Sequence, residues 1–217
     1  VAVCAVQQDV PDAYRRVASP LRAAAATAPP LPPPPTPLLS TIVHEAVVPA
    51  VLTEEVIRGM LAQWPLDDAS STLLLRGENE DTFCLGGDPS SQRLESGEFV
   101  RDVQGFAALH TALTTARCRV VAACAGATRG FGMVFPLAAD HVVAARGATF
   151  AFPEVRRGVL AGVVSVTAAS KLSPSACERL FATADVLHAD EAAALGLVDA
   201  VVDGDERGGE ARHAEAA

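Results

Sequence analysis

Short apolar runs of strand length alternate with segments of helical period between Leu38 and Val202, and that alternation leaves few architectures open. Thr72-Leu73-Leu74-Leu75 predicts a buried strand stopped by Arg76-Gly77, and Arg119 to Ala125 predicts another, bounded by Gly126. His141 to Ala145 and Leu197 to Val202 predict two more, and Thr41-Ile42-Val43 opens the series. Between them lie helices. Thr53 is placed to cap one whose first turn carries Glu54 and Glu55, where carboxylates complement the positive end of the helix. Its apolar residues Val56, Ile57, Met60 and Leu61 recur at helical spacing. Phe106 to Ala116 is helical by period, and a short helix is expected over Met133 to Ala139. Ser173-Pro174 is a cap followed by the proline that suits a first helical position, and Asp190 to Leu195 ends at Gly196. Strands joined through helices of these lengths make an α/β fold with crossover connections.

The ends follow another rule. Residues 20–37 are almost wholly Ala, Pro, Leu and Thr and include Pro32-Pro33-Pro34-Pro35, which removes backbone donors and predicts an extended tether. Residues 1–37 are therefore read as a linker or N-terminal extension, 38–203 as the domain, and the short, charged, glycine-containing stretch 204–217 as a disordered tail. Arg15, Arg16 and Arg22, with Asp9 and Asp12 the only acids before Glu45, fit either an organelle transit remnant or a linker, and the Ala/Pro content favours the linker.

A formal charge of −9 argues against a nucleic acid or an anionic membrane as partner, since either calls for a basic face. No apolar run reaches the roughly 18 residues a membrane-spanning helix needs. The five cysteines have no C-x-x-C spacing, so free thiols in a reducing, cytoplasmic setting are expected, with neither a disulfide frame nor a metal site.

Three segments carry chemistry. Phe83-Cys84-Leu85-Gly86-Gly87-Asp88 follows a predicted strand. Ala125-Gly126-Ala127-Thr128-Arg129-Gly130-Phe131-Gly132-Met133 runs from a buried strand into a helix. Ala148-Thr149-Phe150-Ala151-Phe152-Pro153-Glu154 is followed by Gly158. A glycine-rich turn after a strand exposes backbone N–H groups, and two such donors aimed at one point stabilise negative charge on a thioester oxygen. Taken singly, each segment is also an ordinary tight turn.

Together and in this order, the segments resemble those of the crotonase-like, enoyl-CoA hydratase/isomerase superfamily, over about Val48 to Val202. Phe83 to Asp88 looks like its F-x-x-G-x-D segment, Gly130-Phe131-Gly132 with Asp140 its G-G-G…D segment, and Pro153-Glu154 with Gly158 its P-E…G segment. Asp190-Glu191-Ala192 and Gly196-Leu197-Val198-Asp199 match its later signature. The resemblance implies the crotonase (ClpP-like) spiral of β-β-α turns. It also implies a coenzyme A or acyl-carrier-protein thioester as substrate, with no separate cofactor required, and a homotrimer. By position, Gly87 and Phe131 supply the oxyanion-hole amides, and Cys84, Leu85, Gly86 and Gly130 form the turns around the thioester. Phenylalanine in place of glycine at 131 keeps the amide but must fit its ring beside the acyl group.

The acid/base residues depart from the pattern. Hydratases of the family use two glutamates. Here Val134 stands at the first position and Glu154 at the second, which is the arrangement of the family's isomerases. The polyketide-associated hydratase/dehydratase branch also resembles the F-C-x-G-x-D segment and lacks the first glutamate; there Asp88 assists Glu154. The plainer alternatives are a turn-capping Asp88 and a surface Glu154. Arg156-Arg157 reads as a surface pair or a contact for a cofactor phosphate, and the five histidines as structural or exposed. Pro89 to Asp102 lies where the family has a variable flap. The family's opening strand hairpin is not found before Val48, and no helices are expected beyond Val202, which weakens the implied trimer. Two functions remain: an enoyl thioester isomerase or hydratase/dehydratase, and a non-catalytic acyl-thioester-binding or scaffold domain. A serine peptidase of the related fold is set aside for want of a serine/histidine pair.

Overall fold

A computed structural model describes residues 42–87 and 97–203. The expected tether and tail, and Asp88, lie outside the described residues. The strands are β1 (Ile42–Val48), β2 (Ser71–Gly77), β3 (Thr82–Cys84), β4 (Arg119–Cys124), β5 (Ala127–Arg129), β6 (His141–Ala145), β7 (Thr149–Ala151), β8 (Leu187–His188) and β9 (Ala200–Val202). The helices are α1 (Glu54–Gln63), α2 (Gly97–Thr114), α3 (Val134–Ala138), α4 (Gly162–Lys171), α5 (Pro174–Thr183) and α6 (Ala189–Ala194).

β1, β2, β4, β6 and β9 pair in that order, all parallel. The short strands form a second sheet, β3-β5-β7-β8, parallel except for its last pair. β2, β4 and β6 are each followed by a short strand in the other sheet and then by helix, a repeating β-β-α turn. Alternation along β2 and β4 sends Leu73, Leu75, Val120, Ala122 and Cys124 into the core. The Thr53 hydroxyl accepts from the Val56 N–H, and α1 buries Ile57 and Met60.

Aspartates set the register between strands. The Asp140 carboxylate, just before β6, accepts from the Val120 N–H of β4 at 2.8 Å. Asp199, just before β9, does the same for Val142 of β6 at 2.7 Å. Asp68 accepts from the Ser70 hydroxyl and N–H and the Ser71 hydroxyl, and these bonds lower its carboxyl pKa to about 2. Two of the motif aspartates are therefore explained by strand pairing.

Lys171, the chain's one lysine, is half-buried and donates from Nζ to the carbonyls of Pro136 at 2.8 Å and Ala139 at 3.2 Å, tying α4 to the end of α3. Lys171→Met should lower unfolding free energy by about 1–3 kcal/mol in a urea titration, because two carbonyls lose a charged donor.

The structure departs from the sequence reading in a few places. α2 begins at Gly97, well before Phe106, so the expected flap is helical from that point. Gly105 interrupts the apolar period but serves packing: a Cβ there would stand 3.2 Å from the Glu54 Cα of α1. The last strand is only Ala200–Val202. β5, β7 and β8 are two or three residues long, too short to show a period, and α4 hides behind the β-branched run Val163, Val164 and Val166. Among the described residues no helix is long and apolar enough to cross a membrane.

Candidate active site

β3 runs into the turn Cys84–Gly87, which is pinned to the chain before α1. Leu85 N–H donates to Ala50 O at 2.7 Å, Leu52 N–H donates to Gly86 O at 2.8 Å, and Leu52 and Gly87 form a parallel bridge. β5 runs into the 3-10 turn Gly130–Met133, which continues as α3. The two turns meet backbone to backbone. A Cβ on Gly86 would lie 2.8 Å from the Phe131 nitrogen, and one on Gly132 would lie 2.5 Å from the Cys84 carbonyl oxygen. Gly86 also sits at φ 84°, a conformation that favours glycine.

This contact sets Gly86, the residue before Gly87, directly against the Phe131 amide. Phe131 is the second residue of its helical turn, where an N–H has no partner within the helix. Neither amide donates to an acceptor among the described residues. Among the described residues the junction therefore leaves two backbone donors without an acceptor, one of them at the opening of a helical segment.

β7 delivers the third element. After Phe152, Pro153 starts a second 3-10 turn, Pro153–Arg157, which carries Glu154 back over the glycine turn. A Cβ on Gly130 would lie 2.9 Å from Glu154 Oε1, so the carboxyl group rests against the residue preceding Phe131. Glu154 Oε2 is buried with no hydrogen-bond partner among the described residues. Burial raises the Glu154 pKa above the ordinary glutamate value, and the Arg157 charge offsets part of that rise.

Gly87, Phe131 and Glu154 thus converge, with Cys84, Leu85, Gly86 and Gly130 at the same junction. Asp88 lies outside the described residues. Cys84 is fully buried and its thiol is pushed up to about 12 by desolvation, which disfavours the nucleophilic thiolate. Val134, where a first glutamate was sought, is fully buried among apolar side chains. Arg156 donates to Ala184 O at 3.2 Å, closing the end of α5. Among the histidines, His110 meets Thr167 across α2 and α4, and His141 lies 3.4 Å from Asp199. Among the described residues no three His, Cys, Asp or Glu side chains gather as metal ligands would.

Two residues passed over in the sequence belong to the support of the site. Arg129 donates to the carbonyls of Thr128 and Thr149 and to the Thr149 hydroxyl, bracing β5 against β7. Phe106 of α2 stacks on the Phe131 ring with centroids 4.2 Å apart and planes 21° apart. Neither has a local sequence signal, since both contacts cross between elements.

A family model described as enoyl-CoA hydratase/isomerase matches residues 45–216. The chain belongs to the enoyl-CoA hydratase/isomerase family. It is 32% identical over 145 residues to a crotonyl-CoA hydratase of Syntrophomonas wolfei, covering 64% of this chain and 55% of that protein. It is 30% identical over 155 residues to the mitochondrial enoyl-CoA hydratase domain-containing protein 2 of Bos taurus, covering 70% of this chain and 52% of that one. The chain therefore spans about half the length of these curated relatives. The crystal structure of an enoyl-CoA hydratase from Bacillus anthracis superposes with a TM-score of 0.68 at 24% identity, over 77% of this chain and 69% of that one. This likeness establishes the crotonase fold, and the spiral described above is that of the family.

Proposed function

We propose that this enoyl-CoA hydratase/isomerase family member binds an acyl-CoA or acyl-carrier-protein thioester and moves a proton on its acyl chain. The Gly87 and Phe131 N–H groups hold the thioester oxygen, and Glu154 is the acid/base. One observation carries the reading: a half-buried carboxyl group, one oxygen of which has no partner among the described residues, rests against Gly130, the residue that leads into the Phe131 amide. Such donors stabilise an enolate oxygen without reorganising as charge develops. With the apolar Val134 in place of a second carboxylate, the arrangement suits a one-base isomerase. Glu154 takes a proton from C2 of a 3-enoyl thioester, the negative charge rests on the thioester oxygen, and the same carboxyl returns the proton to C4. No water enters the balance.

A second reading, hydration of a 2-enoyl thioester, is favoured by the names of the curated relatives and draws on Asp88 as the partner of Glu154. Parallel absorbance assays at the conjugated-thioester band separate the two. Gain of signal from 3-enoyl-CoA alone supports isomerisation, and loss of signal from 2-enoyl-CoA supports hydration. Tight binding without turnover of either substrate, as CoA or carrier-protein thioester, would favour a scaffold role instead.

The base must be ionised to act. Because burial raises its pKa, kcat/KM should fall on acidification through a midpoint above the ordinary glutamate value. A pH–rate profile with its acid limb at an unshifted carboxylate value, or with none, contradicts Glu154 as base.

A further inference from the structure

Phe131 stands between two glycines, Gly130 and Gly132, and Gly130 is at φ 55°. Glycines on both sides leave the peptide plane that carries the Phe131 N–H with little torsional restraint of its own. An oxyanion donor works only if its direction is set before the charge appears. The facing turn restrains this backbone on one side, where Gly132 packs on the Cys84 carbonyl and Gly86 on the Phe131 nitrogen, and the Phe131 ring is the part of the residue anchored on the other. It is 9% exposed and lies flat on Phe106, itself 7% exposed.

We infer that Phe106 is a positioning residue, whose ring orients the Phe131 N–H toward the thioester oxygen by stacking on the Phe131 side chain. Phe106 has a fixed footing for this. The adjoining Gly105 lets α2 press against α1 closely enough that an added Cβ would sit 3.2 Å from the Glu54 backbone. The pair also accounts for a bulky residue at a position where only the amide is needed. The ring is a backbone anchor, packed on α2. The inference rests on the proposed oxyanion role of Phe131.

The test reads the bound carbonyl directly. A saturated four-carbon acyl-CoA is bound to the full chain, and its thioester C=O stretch is followed by difference infrared spectroscopy. Wild type should shift the band to lower frequency than in water. Phe106→Leu, which keeps apolar volume but lacks a flat face, should bind the ligand within about twofold yet lose most of that shift, with kcat falling roughly 10- to 100-fold. Phe106→Tyr should restore both. In a Phe131→Gly background, Phe106→Leu should cause no further loss of the shift, because the ring it supports is gone. A full shift in Phe106→Leu overturns the inference, as does equal loss in Phe106→Leu and Phe106→Tyr, or additive loss in the double variant. A wild-type protein that binds the ligand with no shift overturns the oxyanion reading itself, and the positioning role with it.

Discussion

Glu154→Gln should lower turnover by roughly 10³-fold while leaving thioester affinity within about twofold, because a positioned acid/base group contributes about 10² to 10⁴. Glutamine keeps the shape of the side chain that rests on Gly130 and loses only the proton chemistry. The same substitution should raise the melting temperature at neutral pH. The Glu154 pKa is raised on folding by burial, so the folded state holds the proton more tightly than the unfolded chain. Its contribution to stability is complete below the unfolded pKa and is lost as pH rises through the folded one. At neutral pH the half-buried, ionised carboxylate, with one oxygen buried and unpartnered among the described residues, is a cost, and glutamine removes it. The advantage of the variant should therefore shrink as the pH is lowered toward the ordinary glutamate value. Higher stability with lower activity is what a strained functional group predicts. Equal loss of binding and turnover would show that Glu154 holds the turn and does not move a proton.

The central strands β2, β4 and β6 could be read from the sequence because each lies inside the parallel sheet and is written around a continuous apolar run. Thr53 and Ser173 marked their helices because a cap is a local bond, and both hydroxyls accept the amides expected of them. The second sheet could not be read, since β5 and β7 are held by partners far along the chain and not by any period. The motif residues of the site were legible as residue types, but their convergence was not. Nothing in Gly130 or Glu154 separately announces that the glutamate carboxyl comes to rest 2.9 Å from where a Cβ on the glycine would be. Phe106 escaped for the same reason: an apolar helix position looks alike whether it faces a core or a reactive turn. Asp140 was legible only as part of a motif, and the structure gives it a plain task at the Val120 amide of β4.

Gly86→Ala should be nearly as damaging to turnover as loss of the base. The added Cβ would lie 2.8 Å from the Phe131 nitrogen, 3.1 Å from the Gly132 nitrogen and 3.2 Å from the Arg129 carbonyl oxygen. All three are backbone atoms, so no flexible side chain can swing aside. The φ of 84° adds strain of about 1–3 kcal/mol for a residue with a side chain. The two turns must separate, and the Gly87 and Phe131 amides then no longer point at one oxygen. Loss of donor alignment alone predicts a fall in kcat of roughly 10²-fold or more. Gly59→Ala is the matched control. It lies inside α1 with nothing within 4 Å of its added Cβ, and should stabilise the protein by about 0.5–1 kcal/mol with kcat unchanged. If Gly86→Ala folds and turns over normally, the two turns do not need their backbone contact, and the donors for the thioester oxygen must be sought elsewhere. If it folds and binds but loses turnover, close approach of the turns is what makes the site.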